Sequence, residues 1–167
     1  CGIRVLADGC GGFSSTSSAA GLQESLDSAV SMAKVLAGAK KQKVKGLAES
    51  KMVRGRFEAP VRRSTADVDI EQKVRVAKEA DAAARRFSKM IKTASATYRD
   101  MLDRKLIVNS DGAEVEILDS KPEFSVVAIA REGGQSVTAN EGIGITGGWD
   151  DLFGKKSHLD YAAEAAG

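Results

Sequence analysis

Apolar and polar residues alternate along most of residues 90–146, and this stretch predicts the sheet around which the rest of the fold is arranged. A period of two is typical of half-buried strands. Lys121-Pro122 is expected to separate two runs, because proline donates no hydrogen bond to a strand ladder. We predict five antiparallel strands, with turns at Asn109-Ser110-Asp111-Gly112 and Glu132-Gly133-Gly134. The predicted strands cover residues 91–98, 104–108, 113–118, 123–131 and 135–146.

The pattern before this sheet predicts a hairpin and two long helices. Residues 2–7 alternate, Asp8-Gly9 is a common hairpin turn, and residues 10–16 form the return strand. Apolar residues then recur at helical spacing over residues 22–39 and 70–87. The predicted buried stripes are Leu22, Leu26, Ala29, Val30, Ala33 and Leu36 in the first helix and Ile70, Val74, Ala77, Ala84 and Phe87 in the second.

Local signals predict where the helices begin and end. Asp69 and Gln72 have the spacing of a capping box, and Gly38 is placed to cap the end of the first helix. Ser157 is expected to cap a short alanine-rich helix that runs to Ala166. Together the elements predict the α+β class: a two-layer sandwich in which an antiparallel or mixed sheet is covered by two main helices. A single domain over residues 1–167 is expected from the length.

A basic segment links the two long helices. Between Lys40 and Arg63, nine lysines and arginines stand against two acidic residues, which raises the question of nucleic-acid binding. Such surfaces usually carry aromatic residues among the basic ones, and here only Phe57 is present. We therefore interpret residues 40–66 as an exposed connecting loop with a short strand near residues 53–57, and we expect no nucleic-acid partner.

Composition and charge indicate the class of protein, the kinds of partner it lacks and its location in the cell. The chain is 43% hydrophobic and 29% charged with a net charge of +2, which predicts a globular protein without a general attraction for nucleic acids or membranes. No apolar run approaches the roughly 20 residues of a spanning helix, and no signal peptide opens the sequence. Cys1 and Cys10 lie at opposite ends of the predicted hairpin arm, so we expect free thiols and a cytoplasmic location.

Candidate catalytic residues are few. His158 is the sole histidine, and no second histidine or cysteine lies near it in the sequence. We interpret it as a surface residue rather than a metal ligand. No zinc-binding spacing such as H-E-x-x-H occurs, and a serine triad would have to rest on this one imidazole. We assign no catalytic residue and no metal ligand to this chain.

The opening residues Cys1-Gly2-Ile3 resemble the start of the amino-terminal nucleophile glutamine amidotransferases. In that family the thiol of the cysteine and its own amine act together. The resemblance covers three residues, and Arg4 departs from the small residue expected soon after them. An amidotransferase is kept as an alternative, in which Cys1→Ala would abolish glutamine hydrolysis.

A wider resemblance extends over nearly the whole chain. The hairpin, through Gly2 to Gly9 and Gly12 to Thr16, resembles the glycine-rich hairpin of the TldD/PmbA family. Further pieces match in the same order: Lys78-Glu79-Ala80-Asp81-Ala82-Ala83-Ala84-Arg85 resembles the second helix of the family, Ile91 to Tyr98 its strand, Ile107-Val108-Asn109-Ser110-Asp111-Gly112 its turn, and Glu141 to Trp149 a later glycine-rich stretch.

The resemblance implies the amino-terminal domain of a TldD-like zinc metallopeptidase, historically called a modulator of DNA gyrase, which acts on unfolded peptides. The zinc motif of the family, H-E-x-x-x-H, lies beyond this domain, so the zinc ligands are expected outside this chain. We expect the chain to be part of a longer protein in which it has a structural role in assembly and in forming a peptide channel. The implied partner is a TldE/PmbA-like subunit or a second copy. The alternatives are a non-catalytic TldE/PmbA-like protein and a free-standing binding module.

Glycine-rich strands provide the candidates for peptide binding. Because glycine lets another backbone approach closely, Gly12, Phe13, Gly144 and Gly147 are candidates for contact with an extended peptide that adds as a strand. The plainer interpretation of residues 141–151 is an irregular sheet edge packed by Trp149. Strands that precede the hairpin in the family are missing, so an unprotected sheet edge is also expected.

Overall fold

The structure, a computed structural model, describes residues 1–39, 44–49 and 51–167. Lys40, Lys41 and Lys43 of the basic segment lie outside the described residues. The chain divides into two compact units, Cys1–Lys51 and Met52–Gly167. Two units are compatible with one domain or with two, so the single domain over residues 1–167 stays a prediction. The elements are β1 (Gly2–Ala7), β2 (Cys10–Ser15), α1 (Leu22–Ala39), β3 (Arg54–Glu58), α2 (Ile70–Phe87), β4 (Ile91–Val108), β5 (Glu114–Glu132), β6 (Gln135–Gly144), α3 (Trp149–Leu152) and α4 (His158–Ala166).

The first unit is a hairpin with a helix packed on one face. β1 and β2 pair antiparallel, as predicted. Asp8 and Gly9 form the turn with φ values of 50° and 77°, as the tightest hairpin turns require. The bounds of α1 are also as predicted, although Gly38 lies inside the helix rather than at a cap.

The predicted apolar stripe of α1 is partly wrong. The helix buries small residues four apart, and Leu22, Leu26 and Leu36 are exposed. The reason lies at Gly12, where an added Cβ would be only 1.9 Å from the carbonyl oxygen of Ala29. The helix backbone therefore rests directly on β2, and this distance leaves no room for leucine. The buried residues are Ser25, Ala29, Ala33 and Ala37.

The second unit is a mixed sheet built on β5. β4 pairs antiparallel with β5 along its length, and on the other side of β5 lie β6, antiparallel, and β3, parallel. The α+β class is thus confirmed, and the short strand in the basic segment is present as β3. The five predicted strands are three long ones, because residues 91–108 and 114–132 are each continuous.

Pro122 does not interrupt β5, contrary to the prediction. It is buried and lies opposite Asp100 of β4. Its carbonyl accepts a hydrogen bond from the N–H of Ile145 at 3.2 Å, so its main chain faces away from β4. In a strand, the N–H and C=O of one residue point to the same side. The nitrogen of Pro122 therefore faces the gap between β3 and β6, where none of the described strands pairs with β5. The ladder between β5 and β4 keeps all its hydrogen bonds at this position.

Two helices cover one face of the sheet. α2 packs on β4, while α4 packs on α2, β5 and β6. The bounds of α2 are as predicted, but Ile70, Val74 and Phe87 are exposed, and the buried residues are Val76, Ala80 and Ala84. As in α1, alanines at helical spacing make up most of the buried face.

The caps of these helices differ from each other. Asp69 precedes α2 but makes no side-chain cap bond, and Gln72 accepts a hydrogen bond from Arg63 at 3.2 Å, so the predicted capping box is wrong. Ser157 caps α4 as predicted, and Asp160 completes a capping box with it. These bonds hold the pKa of Asp160 below its ordinary value, because they stabilise its carboxylate.

Aromatic rings connect the sheet to the last two helices. Phe124 of β5 is 1% exposed and pairs with Phe153 and Tyr161 in this cluster. The centroid distances are 5.3 Å for Tyr98 and Trp149, 5.5 Å for Trp149 and Phe153, 5.4 Å for Phe124 and Phe153, and 6.0 Å for Phe124 and Tyr161. These distances and tilted geometries are the ones at which aromatic pairs attract each other.

The contact at Gly12 generates the first prediction. Gly12→Ala should lower the free energy of unfolding of the first unit by about 1–3 kcal/mol, because the methyl group must separate α1 from β2. Gly11→Ala is the matched control, since a Cβ there would meet its nearest atom, the carbonyl oxygen of Val5, only at 4.0 Å. Hydrogen exchange of the β1 and β2 amides measures both effects. Equal protection in the two variants would contradict the close approach.

Candidate functional site

The first two peptide-binding candidates lie next to each other on β2 but face opposite ways. Gly12 is buried under α1, where the backbone of Ala29 closes the space beside it. Phe13 points to the other face of the hairpin and is 51% exposed. Packing of the helix thus accounts for the glycine at position 12, and only Phe13 offers a surface. Their role in peptide binding stays a prediction.

Gly147 also serves close packing. Its N–H donates to the carbonyl of Ser120 at 2.9 Å, and the residue is buried. At the next residue, Gly148, an added Cβ would lie 2.2 Å from the carbonyl oxygen of Arg63. The same carbonyl accepts the N–H of Trp149 at 2.9 Å. These glycines let residues 147–149 pack on residues 61–63, as in the interpretation of an irregular edge packed by Trp149.

Gly144 has a different environment, because it lies at an open edge. It ends β6 opposite Glu123, and it is exposed. The bond from Ile145 to Pro122 sets the ladder so that Gly144 and Gly142 direct their N–H and C=O groups away from β5. In the described part of the chain, no strand pairs with this outer edge of β6. The edge therefore presents main-chain donors and acceptors to a further strand.

A polar cluster joins α2 to β4. The Nζ atom of Lys73 lies 2.6 Å from the Oδ2 atom of Asp100, and the hydroxyl of Tyr98 donates to the same oxygen at 3.2 Å. Burial raises the pKa of Tyr98 above its ordinary value, and the negative charge of Asp100 raises it further. The phenol therefore stays protonated and acts as a hydrogen-bond donor. All three side chains interact with one another, so we interpret the cluster as a structural link between α2 and β4 rather than as the source of a nucleophile.

A cavity of about 250 Å³ lies between residues 58–64 and the strands β4 and β5. Its volume is below the range of roughly 300–1,000 Å³ that is usual for small-molecule sites. Two charged residues of its lining are already neutralised: Arg104 pairs with Glu116, and Asp119 pairs with Lys105 and Lys121. These pairs also lower the pKa of Asp119, because the two lysines stabilise its carboxylate. The cavity thus offers little unpaired charge for a ligand.

The described residues do not fit a bound zinc ion. Across residues 1–39, 44–49 and 51–167, no group of three or more His, Cys, Asp and Glu side chains could hold a metal. His158 is half-buried rather than at the open surface, and its Nε2 atom lies 2.8 Å from the Oε2 atom of Glu79 on α2. Cys1 is exposed and Cys10 is buried, both as free thiols.

None of the helices in the described ranges has the length and apolarity needed to cross a membrane.

Comparisons with known proteins identify relatives of both the sequence and the fold. The sequence profile described as the PmbA/TldA metallopeptidase central domain matches residues 63–166. A crystal structure from Bacteroides thetaiotaomicron, of a protein provisionally described as a modulator of DNA gyrase, has a similar fold with a TM-score of 0.78 and 19% sequence identity. The match covers 98% of this chain and 38% of that one, so the chain spans well under half the length of that relative. No curated protein matches the sequence.

The matched profile extends from just before α2 to the end of α4 and contains β4, β5 and β6. It describes a central domain, whereas the sequence motifs implied an amino-terminal one. The hairpin, which carries the first of those motifs, and α1 lie before the matched residues. No sequence signal pointed to the outer edge of β6 as a continuous row of main-chain groups, because the pairing of β6 with β5 decides which groups face outward.

The Tyr98 cluster generates the second prediction. Asp100→Asn should lower the pKa of Tyr98, because a neutral amide no longer opposes formation of the phenolate. The pKa should remain above that of an ordinary tyrosine, since burial is the larger cause of its elevation. Tyrosinate absorbance during alkaline titration measures this in a Tyr161→Phe background, which leaves one tyrosine. An unchanged pKa would show that Asp100 does not act on Tyr98.

Proposed function

The chain belongs to the TldD/PmbA family of metallopeptidases, and from this premise we propose that it forms part of the non-catalytic body of a zinc-dependent peptidase. The observation that carries the proposal is the profile match over residues 63–166, which spans the covered sheet of the second unit. The substrate class we propose is unfolded or extended peptide. The role of this chain is to assemble with a TldE/PmbA-like subunit or a second copy and to line the path of the substrate.

The chemistry of peptide hydrolysis belongs to residues outside the described part of this chain. Zinc-bound water is the nucleophile that such a metal would supply. The described residues offer no cluster of ligands for zinc, so we derive no catalytic step here. The alternative of an amidotransferase that uses Cys1 receives no support from the family match. A non-catalytic, PmbA-like partner has the same family membership and differs by lacking zinc.

The outer edge of β6 supports a contact with substrate. Extended peptides bind to an open sheet edge by forming main-chain hydrogen bonds, which do not depend on the side chains of the peptide. Gly142 and Gly144 point their main-chain groups outward at this edge. A Cβ at Gly142 would lie 2.8 Å from the carbonyl oxygen of Phe124, so packing on β5 accounts for that glycine, whereas a Cβ at Gly144 would meet only the flexible side chain of Glu123. Such binding suits an enzyme that must accept many unfolded sequences.

Zinc content provides the third prediction. The natural, full-length protein, purified without added metal, should contain about one zinc per chain, while the 167-residue chain should contain none. Elemental analysis measures both. The short chain is the control for metal that is bound non-specifically. A full-length protein without zinc would exclude the peptidase and favour the PmbA-like partner.

The fourth prediction concerns the edge of β6. Gly144→Pro removes one outward N–H and no bond to β5, so it should weaken the binding of a labelled unstructured peptide by about 3- to 10-fold, as for one net hydrogen bond. Gly144→Val should also weaken binding, through the bulk of its side chain. Fluorescence anisotropy with the full-length protein measures the affinity.

Matched controls separate the edge from the sheet itself. The three atoms nearest to a Cβ at Gly144 all belong to the exposed, flexible side chain of Glu123, the closest being Cγ at 3.3 Å, so both variants should fold. Gly134→Ala, in the β5–β6 turn and outside the proposed edge, controls for local strain, because Gly134 has a φ of 82°. Unchanged peptide affinity in both Gly144 variants would remove β6 from the peptide path.

A further inference from the structure

The far half of β4 is an open edge. Because Pro122 directs its main chain away from β4, the even-numbered residues of β4 direct theirs away from β5. Near the start of the strand this edge is occupied, since the guanidinium of Arg85 donates to the carbonyl of Ala94. Beyond Asp100, which Lys73 holds, none of the described strands pairs with it.

This open segment is apolar at both ends and charged in the middle. Met101 is 57% exposed, Leu102 59%, Leu106 69% and Ile107 51%. Between them lie Asp103, Arg104 and Lys105. Proteins usually protect such an edge, because a long apolar strand with free main-chain groups pairs readily with another strand. The arrangement of its residues indicates which strand that is.

We propose that residues 101–107 of β4 pair antiparallel with the same segment of a second copy, about a two-fold axis at Arg104. Every residue other than Arg104 then meets a chemically suitable partner across the interface. The pairs are Met101 with Ile107, Leu102 with Leu106, and Asp103 with Lys105, each occurring twice. Leu102, Arg104 and Leu106 carry the outward main-chain groups, so this register forms about six inter-strand hydrogen bonds.

Neighbouring registers are less favourable. An axis at Asp103 places two aspartates opposite each other, and an axis at Lys105 places two lysines opposite each other. Registers that differ by half a step bring inward-facing main-chain groups to the edge and form no ladder. The charge sequence of the strand therefore selects the axis at Arg104.

The two copies of Arg104 at the axis do not repel strongly, because each is already paired within its own chain. The Nε atom of Arg104 lies 2.5 Å from the Oε1 atom of Glu116 on β5. Opposite charges on neighbouring strands stabilise a sheet. At the axis, each subunit contributes Arg104 together with the opposite charge of its own Glu116. The sheet would continue from one copy into the other with the helices on the same face.

This inference deepens the assembly role in the proposed function by naming the contact between copies, and it rests on that role. It can fail separately, because zinc content and peptide binding do not report on β4. Asp103→Lys and Lys105→Asp each place like charges opposite one another, so each variant alone should weaken dimerisation of the full-length protein roughly tenfold or more. Analytical ultracentrifugation measures the dissociation constant.

An equimolar mixture of the two variants is the decisive sample. In the mixed dimer, each introduced charge faces an opposite charge on the other chain, although the pair of Asp103 and Lys105 within each chain is lost. Dimerisation should therefore return in the mixture, which an effect on folding of the single variants would not produce. Arg131→Glu, a charge reversal on β5 at an exposed residue, is the control and should dimerise like the natural protein.

Cysteine cross-linking tests the register directly. In a Cys1→Ser, Cys10→Ala background, Asp103→Cys mixed with Lys105→Cys should form a disulfide-linked dimer, because directly opposed residues have Cα atoms about 4.5 Å apart. Neither variant alone should cross-link, since identical residues lie too far apart. A monomeric natural protein, or a dimer that neither the charge variants nor the cysteine mixture affects, would overturn the proposal and leave this edge to a peptide or another part of the protein.

Discussion

The long ladder between β4 and β5 is the constraint on which the second unit depends. Residues 91–108 and 114–132 pair over nearly their whole length, and every other strand of the unit attaches to β5. Because this ladder determines which main-chain groups face outward, it also determines where the unit has open edges. It also carries Phe124, whose ring packs on Phe153 and Tyr161 and so helps to fix where the last two helices pack.

The packing of the helices is the second physical feature of the structure. In both units the buried face of the helix consists mainly of alanines. α1 rests on β2 through Ala29 and Ala33, and α2, which packs on β4, buries Ala80 and Ala84. Alanine faces reduce the apolar area buried per residue, but they bring helix and strand backbones close and make the position of the helix insensitive to rotamers. Leucines that a periodic pattern assigns to the core are then left at the surface of the described chain.

The functional interpretation follows from edges rather than from pockets. The cavity beside β5 is small, and its charged lining is largely paired, whereas the outer edges of β4 and β6 present rows of main-chain groups. The two edges differ in chemistry: β6 has glycine at two of its outward positions, Gly142 and Gly144, and β4 has an apolar segment with complementary charges. Glycine suits a peptide of any sequence, while a charge pattern that complements itself suits a second copy.

The sequence by itself determined the hairpin, the bounds of three helices, the α+β class and the family. These features depend on local signals, such as Asp8-Gly9, the helical period of residues 70–87 and the Ser157 cap, which act within a few residues of the chain. The number of long strands, the continuity of β5 through Pro122 and the buried stripes of α1 and α2 were decided only by tertiary structure. Each depends on a neighbour distant in sequence: Pro122 is tolerated because none of the described strands faces its nitrogen, and Ala29 is buried because Gly12 lies beneath it. The sequence named Gly144 as a candidate, but only the pairing of β6 with β5 shows that its main chain faces outward.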